Sequence, residues 1–282
     1  MAKIGIFDSG YGGLTILEAI RKHLPENDYL YLGDNARAPY GTHSFDVIYR
    51  YTLQAVNYLI SKNCALIILA CNTASAKALR TIQQRDLPEI NHQLKITNNK
   101  SRRVNVLGVI RPTVEAVPAI TKSGHVGILG TPATVSSESY VLELEKIAPD
   151  LTISQQACPM WVPLIESGEH NKPGADYFVE EYVRAILNKD PQIDTLVLGC
   201  THYPLLQEKI AKAAKDVNII AQGDLVAHSL KDYLSRHPEY RDQLSLNGTC
   251  TYLTTENADR FSQSASNFLA EKITATTIQL VS

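Results

Sequence analysis

The sequence predicts an α/β protein made of two similar α/β domains, each with a parallel sheet, that face each other. Three observations predict this: short apolar runs alternate with helix-like segments, the chain repeats a pattern in two halves, and a polar stretch separates the halves. Strands that alternate with helices are typical of βα units, which build parallel sheets. The predicted strands are residues 4–7, 29–32, 65–70, 104–109, 126–129, 151–154, 195–198 and 217–220.

Helices are predicted where apolar residues recur at intervals of three and four. Residues 45–61 and 177–188 follow this amphipathic pattern, so we expect them to cover sheet faces. Near the end of the chain, residues 225–234 and 258–272 are also helix-like. These elements alone do not decide which of the two sheets the tail after residue 217 extends.

The repeat defines the predicted domains. Residues 4–13 (IGIFDSGYGG) and 66–76 (LIILACNTASA) have counterparts at 126–135 (VGILGTPATV) and 196–206 (LVLGCTHYPLL). In each half one strand ends in a small, hydroxyl-rich turn and a later strand ends in cysteine, which indicates an internal repeat. The polar segment 84–103 is predicted to be a connection outside the active cleft. We therefore predict a discontinuous first domain of residues 1–103 plus about 217–282, and a second domain of residues 104–216.

Composition excludes several classes of protein. The 27 basic and 29 acidic residues leave a net charge of −2 with no basic cluster, so we expect no nucleic-acid partner. No run of about 18 apolar residues and no signal-peptide pattern occurs, so we expect a cytoplasmic protein without a membrane partner. The five cysteines include no CxxC pair and fit neither a disulfide framework nor a zinc ribbon.

Two cysteines follow predicted strands directly. Cys71 comes after the apolar run 65–70, and Cys200 comes after 195–199. Ligands of open parallel sheets bind at the carboxyl ends of strands, and a helix N-terminus there favours a thiolate. Either cysteine alone is most simply a small buried residue, but two at matching strand ends favour a catalytic pair. The cysteines that lack this setting are expected to be structural: Cys64, Cys158 and Cys250.

Other strand-end loops offer polar groups. Asp8 and Ser9 open a glycine-rich loop that fits either close approach to a ligand or a tight turn capped by Asp8. The loop lacks GxGxxG spacing, so it does not predict a dinucleotide site. In residues 33–41, Asp34 is either a second carboxylate near a thiol or part of a surface turn. The backbone near Tyr40 has amides that fit a substrate carboxylate.

The second half supplies an imidazole and a carboxylate within an apolar stretch. His202 lies two residues after Cys200, where we favour proton management over a structural role. Glu166 lies in a mostly apolar stretch, where a carboxylate is usually paired or functional. A metal site formed by the two cysteines, His202 and Asp8 would lack the closely spaced ligand pairs of zinc sites, so we predict no metal.

Four motifs of the chain resemble those of a known protein family. The motifs DSGYGG (8–13), GDNARAPYG (33–41), CNTASA (71–76) and GCTHYPLL (199–206) are similar to those of the glutamate racemases, within the cofactor-independent aspartate/glutamate racemase family. The resemblance covers nearly the whole chain. It implies pseudo-twofold symmetry, an active site in the cleft between the domains, no cofactor and a homodimer. It also implies interconversion of L- and D-glutamate, which supplies D-glutamate for peptidoglycan biosynthesis, and hence a role in cell wall biogenesis and cell shape.

The resemblance also assigns residues. It implies that Cys71 and Cys200 are the two bases, that Asp8 and Asp34 lie near the first, and that Glu166 and His202 lie near the second. It further implies that the substrate is held by Ser9, Pro39, Tyr40, Gly41, Asn72, Thr73, Thr131, Thr134 and Thr201. The sequence departs from the family pattern in its long 84–103 connection and in AQGD at 221–224, where a short Asp-Ser sequence is common. We expect neither departure to touch the chemistry.

The residues themselves suit this reaction. A racemase removes a Cα proton from one face and returns one to the other, and a thiol with an ordinary pKa of about 8.5 serves as either base or acid. Alternatives remain open: an aspartate or broad-specificity racemase, a decarboxylase, a hydantoin-type epimerase, or a non-catalytic amino-acid-binding module. The presence of both cysteines with Asp8 and His202 argues against the binding module.

Overall fold

A computed structural model describes residues 1–97, 103–266, 268–269 and 271–280. The described strands are β1 Lys3–Asp8, β2 Tyr29–Gly33, β3 Cys64–Leu69, β4 Asn105–Gly108, β5 His125–Gly130, β6 Thr152–Ala157, β7 Thr195–Gly199, β8 Asn218–Ile220, β9 Cys250–Thr254 and β10 Ala275–Thr277.

Helices connect these strands. The described α-helices are α1 Gly13–His23, α2 Phe45–Ser61, α3 Asn72–Lys77, α4 Leu79–Thr81, α5 Leu87–Ile96, α6 Ile110–Ile120, α7 Pro132–Ser136, α8 Ser139–Ile147, α9 Trp161–Glu166, α10 Pro173–Lys189, α11 Gln207–Ala214, α12 Gly223–Arg236, α13 Pro238–Arg241 and α14 Ala258–Ala265. Short 3-10 turns lie at Asn35–Arg37, Tyr40–Thr42 and Tyr203–Leu206, and a π-helical turn lies at Ile82–Asp86. Among the described helices, none is both long and apolar enough to cross a membrane.

The strands form two sheets in which every named pair is parallel. The six-stranded sheet has the order β10-β9-β2-β1-β3-β4, and the four-stranded sheet has the order β6-β5-β7-β8. Each of the eight predicted strands is present, and the predicted α/β class with parallel sheets is confirmed. The apolar runs become strands because helices cover both sheet faces; every residue of β3 and β7 is buried.

Amphipathic helices shield these sheets. Helix α2 has the predicted bounds and buries a stripe that includes Ile48, Ala55 and Leu59. Helix α10 contains the predicted segment 177–188 and buries Val179 and Val183 against the second sheet. Helix α14 ends at Ala265, earlier than predicted; residues 267 and 270 of the predicted helix lie outside the described residues.

Two strands near the predicted domain boundaries lie in sheets other than those expected. Strand β4, assigned to the second domain by its position after residue 103, pairs with β3 in the six-stranded sheet. Strand β8, assigned to the first domain, pairs with β7 in the four-stranded sheet. The chain therefore passes to the second sheet after β4 and returns after β8. Apolar runs predict strands but not their partners, so these assignments were wrong, while the division into two domains remains a prediction.

The connection between α4 and β4 is more ordered than its composition predicts. Its described part includes helix α5, which places Leu87, Ile90 and Leu94 against a core cluster of the first sheet. The spacing of these three residues is helical, although the polar residues around them conceal the pattern. Residues 98–102, which complete the predicted connection, lie outside the described residues.

Candidate active site

One pocket lies between the carboxyl ends of strands from both sheets, as ligand sites of open α/β sheets do. Loops after β1, β2 and β3 face loops after β5, β6 and β7. The pocket is lined by Ser9, Pro39, Tyr40, Gly41, Thr42, Cys71, Asn72, Thr73, Thr131, Pro132, Cys158, Pro159, Val162, Pro163, Glu166, Cys200, Thr201 and His202. The described residues of the 84–103 connection are absent from this lining.

Cys71 lies beyond β3 and caps the N-terminus of α3. Its Sγ accepts the backbone N–H of Ala74 at 3.5 Å and lies 3.3 Å from Ser9 Oγ. Burial, followed by the negative charge of Asp8, raises the pKa of Cys71 to about 12 despite these two hydrogen bonds. At neutral pH the Cys71 side chain is therefore a thiol and a proton donor.

Cys200 lies beyond β7 next to a histidine. The Nδ1 atom of His202 lies 3.9 Å from Cys200 Sγ, and its Nε2 atom lies 3.0 Å from Glu166 Oε1. Burial alone lowers the pKa of His202, but hydrogen bonds to Cys200 and Glu166, with the charges of both groups, raise it to about 10. The imidazole is therefore charged at neutral pH, and this charge lies beside Cys200 Sγ.

Asp8 lies between the loops that carry the two cysteines and is itself outside the pocket lining. Its Oδ2 accepts the backbone N–H of Gly10 at 2.8 Å, and Thr201 Oγ1 lies 3.5 Å from its Oδ1. Burial raises the pKa of Asp8, against the opposing charge of His202. The predicted proximity of Asp8 to Cys71 agrees with its electrostatic effect on that thiol, but Asp8 also contacts the loop after β7.

Asp34 is outside the pocket lining as well. It is fully buried and accepts hydrogen bonds from Arg37 at 2.7 Å, from Thr255 at 2.8 Å and from the Tyr40 hydroxyl. Asp34 reaches the pocket through its hydrogen bond to Tyr40, and its predicted place near the first thiol stays a prediction. Tyr40 does line the pocket, and Asp34 positions its ring.

The predicted threonines meet where the two halves of the pocket touch. Thr73 Oγ1 lies 2.9 Å from Thr131 Oγ1, which lies 3.0 Å from Thr134 Oγ1. Thr134 is buried behind Thr131 and does not line the pocket, so it is placed to orient Thr131 and not to contact the substrate directly. Gly41 packs closely against Thr131, since a Cβ atom at position 41 would lie 2.9 Å from Thr131 Cβ. The remaining predicted substrate contacts all line the pocket.

Sequence reasoning missed Cys158. It lines the pocket because β6 continues to Ala157, whereas the predicted strand ended at residue 154. The polar residues Ser154, Gln155 and Gln156 concealed the end of this strand. With its true end, the strand-end argument used for Cys71 and Cys200 applies to Cys158 too, and the expectation of a purely structural cysteine is wrong about its location.

Sequence reasoning also missed Gln222, which belongs to the AQGD departure at 221–224. Its Oε1 accepts a hydrogen bond from Asn72 Nδ2 at 2.5 Å. Asn72 lines the pocket directly after Cys71, so the departure contacts a residue of the site although Gln222 itself does not line the pocket. The two residues are separated by 150 positions, and no local pattern in the sequence indicates the contact.

Comparisons with known proteins agree with this geometry. Residues 14–230 match the Asp/Glu/hydantoin racemase family. A glutamate racemase from Ruegeria sp. strain TM1040 is 42% identical, over 96% of this chain and 98% of that protein. A crystal structure of a glutamate racemase isoform from Bacillus anthracis superposes with a TM-score of 0.86 at 30% identity, covering 99% of this chain and 98% of that one. A Francisella tularensis glutamate racemase in complex with D-glutamate gives a TM-score of 0.82 at 31% identity, with 99% and 98% coverage.

A pocket lined by two cysteines that follow strands of different parallel sheets, together with these matches, defines an isomerase of the amino-acid racemase class. The chain belongs to the Asp/Glu/hydantoin racemase family.

Substitution of Gly12 tests how closely the loop after β1 must pack against the loop after β7. A Cβ atom at this position would lie 2.4 Å from both His202 Nδ1 and Thr201 Oγ1, while its φ of −57° is allowed for alanine. Gly12→Ala should therefore displace His202 without backbone strain and lower kcat/KM for racemisation at least tenfold, because displacements of about 1 Å cost up to about 10²-fold. Gly174→Ala is the matched control, since its Cβ would meet nothing within 4 Å. Wild-type kcat/KM in Gly12→Ala would contradict this close fit.

Proposed function

We propose that this chain is a glutamate racemase that interconverts L- and D-glutamate, with Cys71 and Cys200 as its two acid/base groups. One observation carries the proposal: the two thiols follow strands of different sheets and line one pocket. The similarity to glutamate racemases over nearly the whole chain supports glutamate as the substrate. The Francisella tularensis relative holds D-glutamate.

The charges of the pocket suggest how a resting enzyme begins the reaction. Cys71 is a thiol because burial raises its pKa to about 12, whereas Cys200 lies beside the charged imidazolium of His202. In the L-to-D direction, Cys200 takes the Cα proton and Cys71 gives its own proton to the opposite face. The product leaves with Cys71 deprotonated and Cys200 protonated. This form carries out the reverse reaction, or it returns to rest by exchanging protons with water.

The lining also suits a substrate with two carboxylates. Lysine and arginine are absent from the described pocket lining, so the carboxylates are held by neutral donors with the charge of His202 nearby. These donors are the side chains of Asn72, Thr73 and Thr201 and the backbone around Gly41. Neutral hydrogen-bond donors orient the Cα–H bond without fixing a strong charge beside the reacting thiols. The proposed reaction needs neither a metal nor an organic cofactor, because the thiols perform both proton transfers.

The wider role follows from the resemblance. We propose that the enzyme acts in the cytoplasm as a homodimer and supplies D-glutamate for peptidoglycan biosynthesis, and thereby contributes to cell wall biogenesis and cell shape.

Circular dichroism of purified protein tests the substrate. L-glutamate and D-glutamate should each lose optical activity until a racemic mixture remains, without added cofactor. The same assay with L- and D-aspartate is the comparison, because one methylene in a pocket is worth only about 1–3 kcal/mol. A higher kcat/KM for aspartate would replace glutamate as the assigned substrate.

Replacing either reactive thiol should stop racemisation. Cys71→Ser and Cys200→Ser should each lower kcat by at least about 10²-fold, because a hydroxyl is far less acidic than a thiol. Cys250→Ser is the matched control: Cys250 lies on β9, outside the pocket lining, and its variant should keep wild-type turnover. Near-normal turnover by either pocket variant, with an unchanged far-ultraviolet spectrum, would remove that cysteine from the mechanism.

The charge on His202 predicts a pH dependence. Its pKa is raised to about 10, so the imidazolium that supports Cys200 is present at neutral pH and is lost as the pH rises through about 10. The kcat/KM ratio of wild type to His202→Asn should therefore be constant near neutral pH and fall as the pH approaches 10. Taking the ratio cancels the titration of glutamate's own amino group. A ratio that stays flat to alkaline pH would show that the charge of His202 does not assist the reaction.

A further inference from the structure

Gln222 lies where the chain returns from the second sheet to the first. Strand β8 ends at Ile220 and helix α12 begins at Gly223, so Gln222 belongs to the short connection between them. Its side chain is only 2% exposed. A buried amide requires hydrogen-bond partners, and the identity of those partners shows what this residue holds in place.

The Gln222 amide makes hydrogen bonds to the segment where the chain first passes to the second sheet and to a residue of the active site. Its Nε2 donates to Thr113 Oγ1 at 2.8 Å, to Tyr140 Oη at 2.9 Å and to the Val109 carbonyl at 3.3 Å. Val109 is the residue between β4 and α6, where the chain first passes to the second sheet. At its other end, Gln222 Oε1 accepts from Asn72 Nδ2 at 2.5 Å.

Both polar atoms of the Asn72 amide therefore make hydrogen bonds within this network. Its Nδ2 donates to Gln222, and its Oδ1 accepts from the Tyr140 hydroxyl at 2.7 Å. Burial raises the pKa of Tyr140, so this hydroxyl keeps its proton and remains a donor. An amide nitrogen has two hydrogens, and Gln222 takes one of them. Asn72 lines the pocket next to Cys71, and its second N–H has no protein acceptor among the hydrogen bonds of the described residues.

We infer that Gln222 is a positioning residue: it fixes the Asn72 amide so that the remaining N–H of Asn72 binds a carboxylate of the substrate. The inference deepens the proposed racemase function and rests on it. Gln222 is not a catalytic residue, since it is outside the pocket lining and acts through Asn72. Its loss should weaken glutamate binding and leave the proton transfers between the thiols and Cα nearly intact.

The network provides a control for purely structural effects. Gln222 Nε2 has two hydrogens but three acceptors, so removing the Thr113 hydroxyl leaves Tyr140 and Val109 as partners. Thr113→Val therefore perturbs the same buried network without freeing Asn72. Gln222→Leu removes the acceptor of Asn72, and Tyr140→Phe removes its donor, while both keep similar size.

The experiment measures kcat and KM for L- and D-glutamate in wild type and these variants by circular dichroism. Gln222→Leu should raise KM for both enantiomers about tenfold, as expected when a buried polar group loses its partner, and change kcat much less. Tyr140→Phe should shift KM in the same direction, which provides a second variant should Gln222→Leu fail to fold. Thr113→Val should keep KM near that of wild type, even if its melting temperature falls.

Coupling to Asn72 separates positioning from a general loss of packing. In an Asn72→Ala background, Gln222→Leu should add little further increase in KM, because the residue through which it acts is gone. A wild-type KM in folded Gln222→Leu, or equal increases in KM with and without Asn72, would overturn the inference alone. Failure of the wild-type enzyme to racemise glutamate would overturn the proposed function first, and this inference with it.

Discussion

The two cysteines proposed to react follow strands of separate sheets, so the proposed chemistry depends on how the two halves of the pocket are held together. Cys71 belongs to the six-stranded sheet and Cys200 to the four-stranded sheet. Contacts without room for a side chain hold the halves together, such as Gly12 against His202 and Gly41 against Thr131. Since packed interfaces tolerate few intermediate positions, these contacts restrict how the two halves of the pocket can move relative to each other.

Burial and neighbouring charges give the two cysteines different electrostatic surroundings. Cys71 is buried beside the carboxylate of Asp8, which disfavours its thiolate, whereas Cys200 lies beside the charged imidazolium of His202. Glu166 sustains this difference because its hydrogen bond helps keep His202 protonated. The two cysteines occupy similar positions on their sheets but different electrostatic surroundings. In the proposed mechanism, these surroundings distinguish the base from the acid in the resting enzyme.

Features of the fold and the site could be predicted from the sequence where a pattern in neighbouring residues indicated them. The strand before Cys71 was predictable because a sheet covered on both faces produces an unbroken apolar run. The last residues of β6 were missed because polar side chains interrupt that run, and Cys158 was misplaced with them. The sheet partners of β4 and β8 and the contact of Gln222 with Asn72 join segments distant in sequence, and no periodicity records them.

The central claim is that two thiols act on opposite faces of one carbon, and the fate of the Cα hydrogen tests it most directly. The measurement is racemisation of protonated L-glutamate in D₂O, stopped early in the reaction, followed by mass spectrometry of the separated enantiomers. The account predicts that nearly every D-glutamate molecule carries solvent deuterium at Cα, while the remaining L-glutamate is largely unlabelled, because one thiol removes the substrate hydrogen and the other donates its own. D-glutamate that retained the original Cα hydrogen would show that a single group removes and returns it, and would contradict the account.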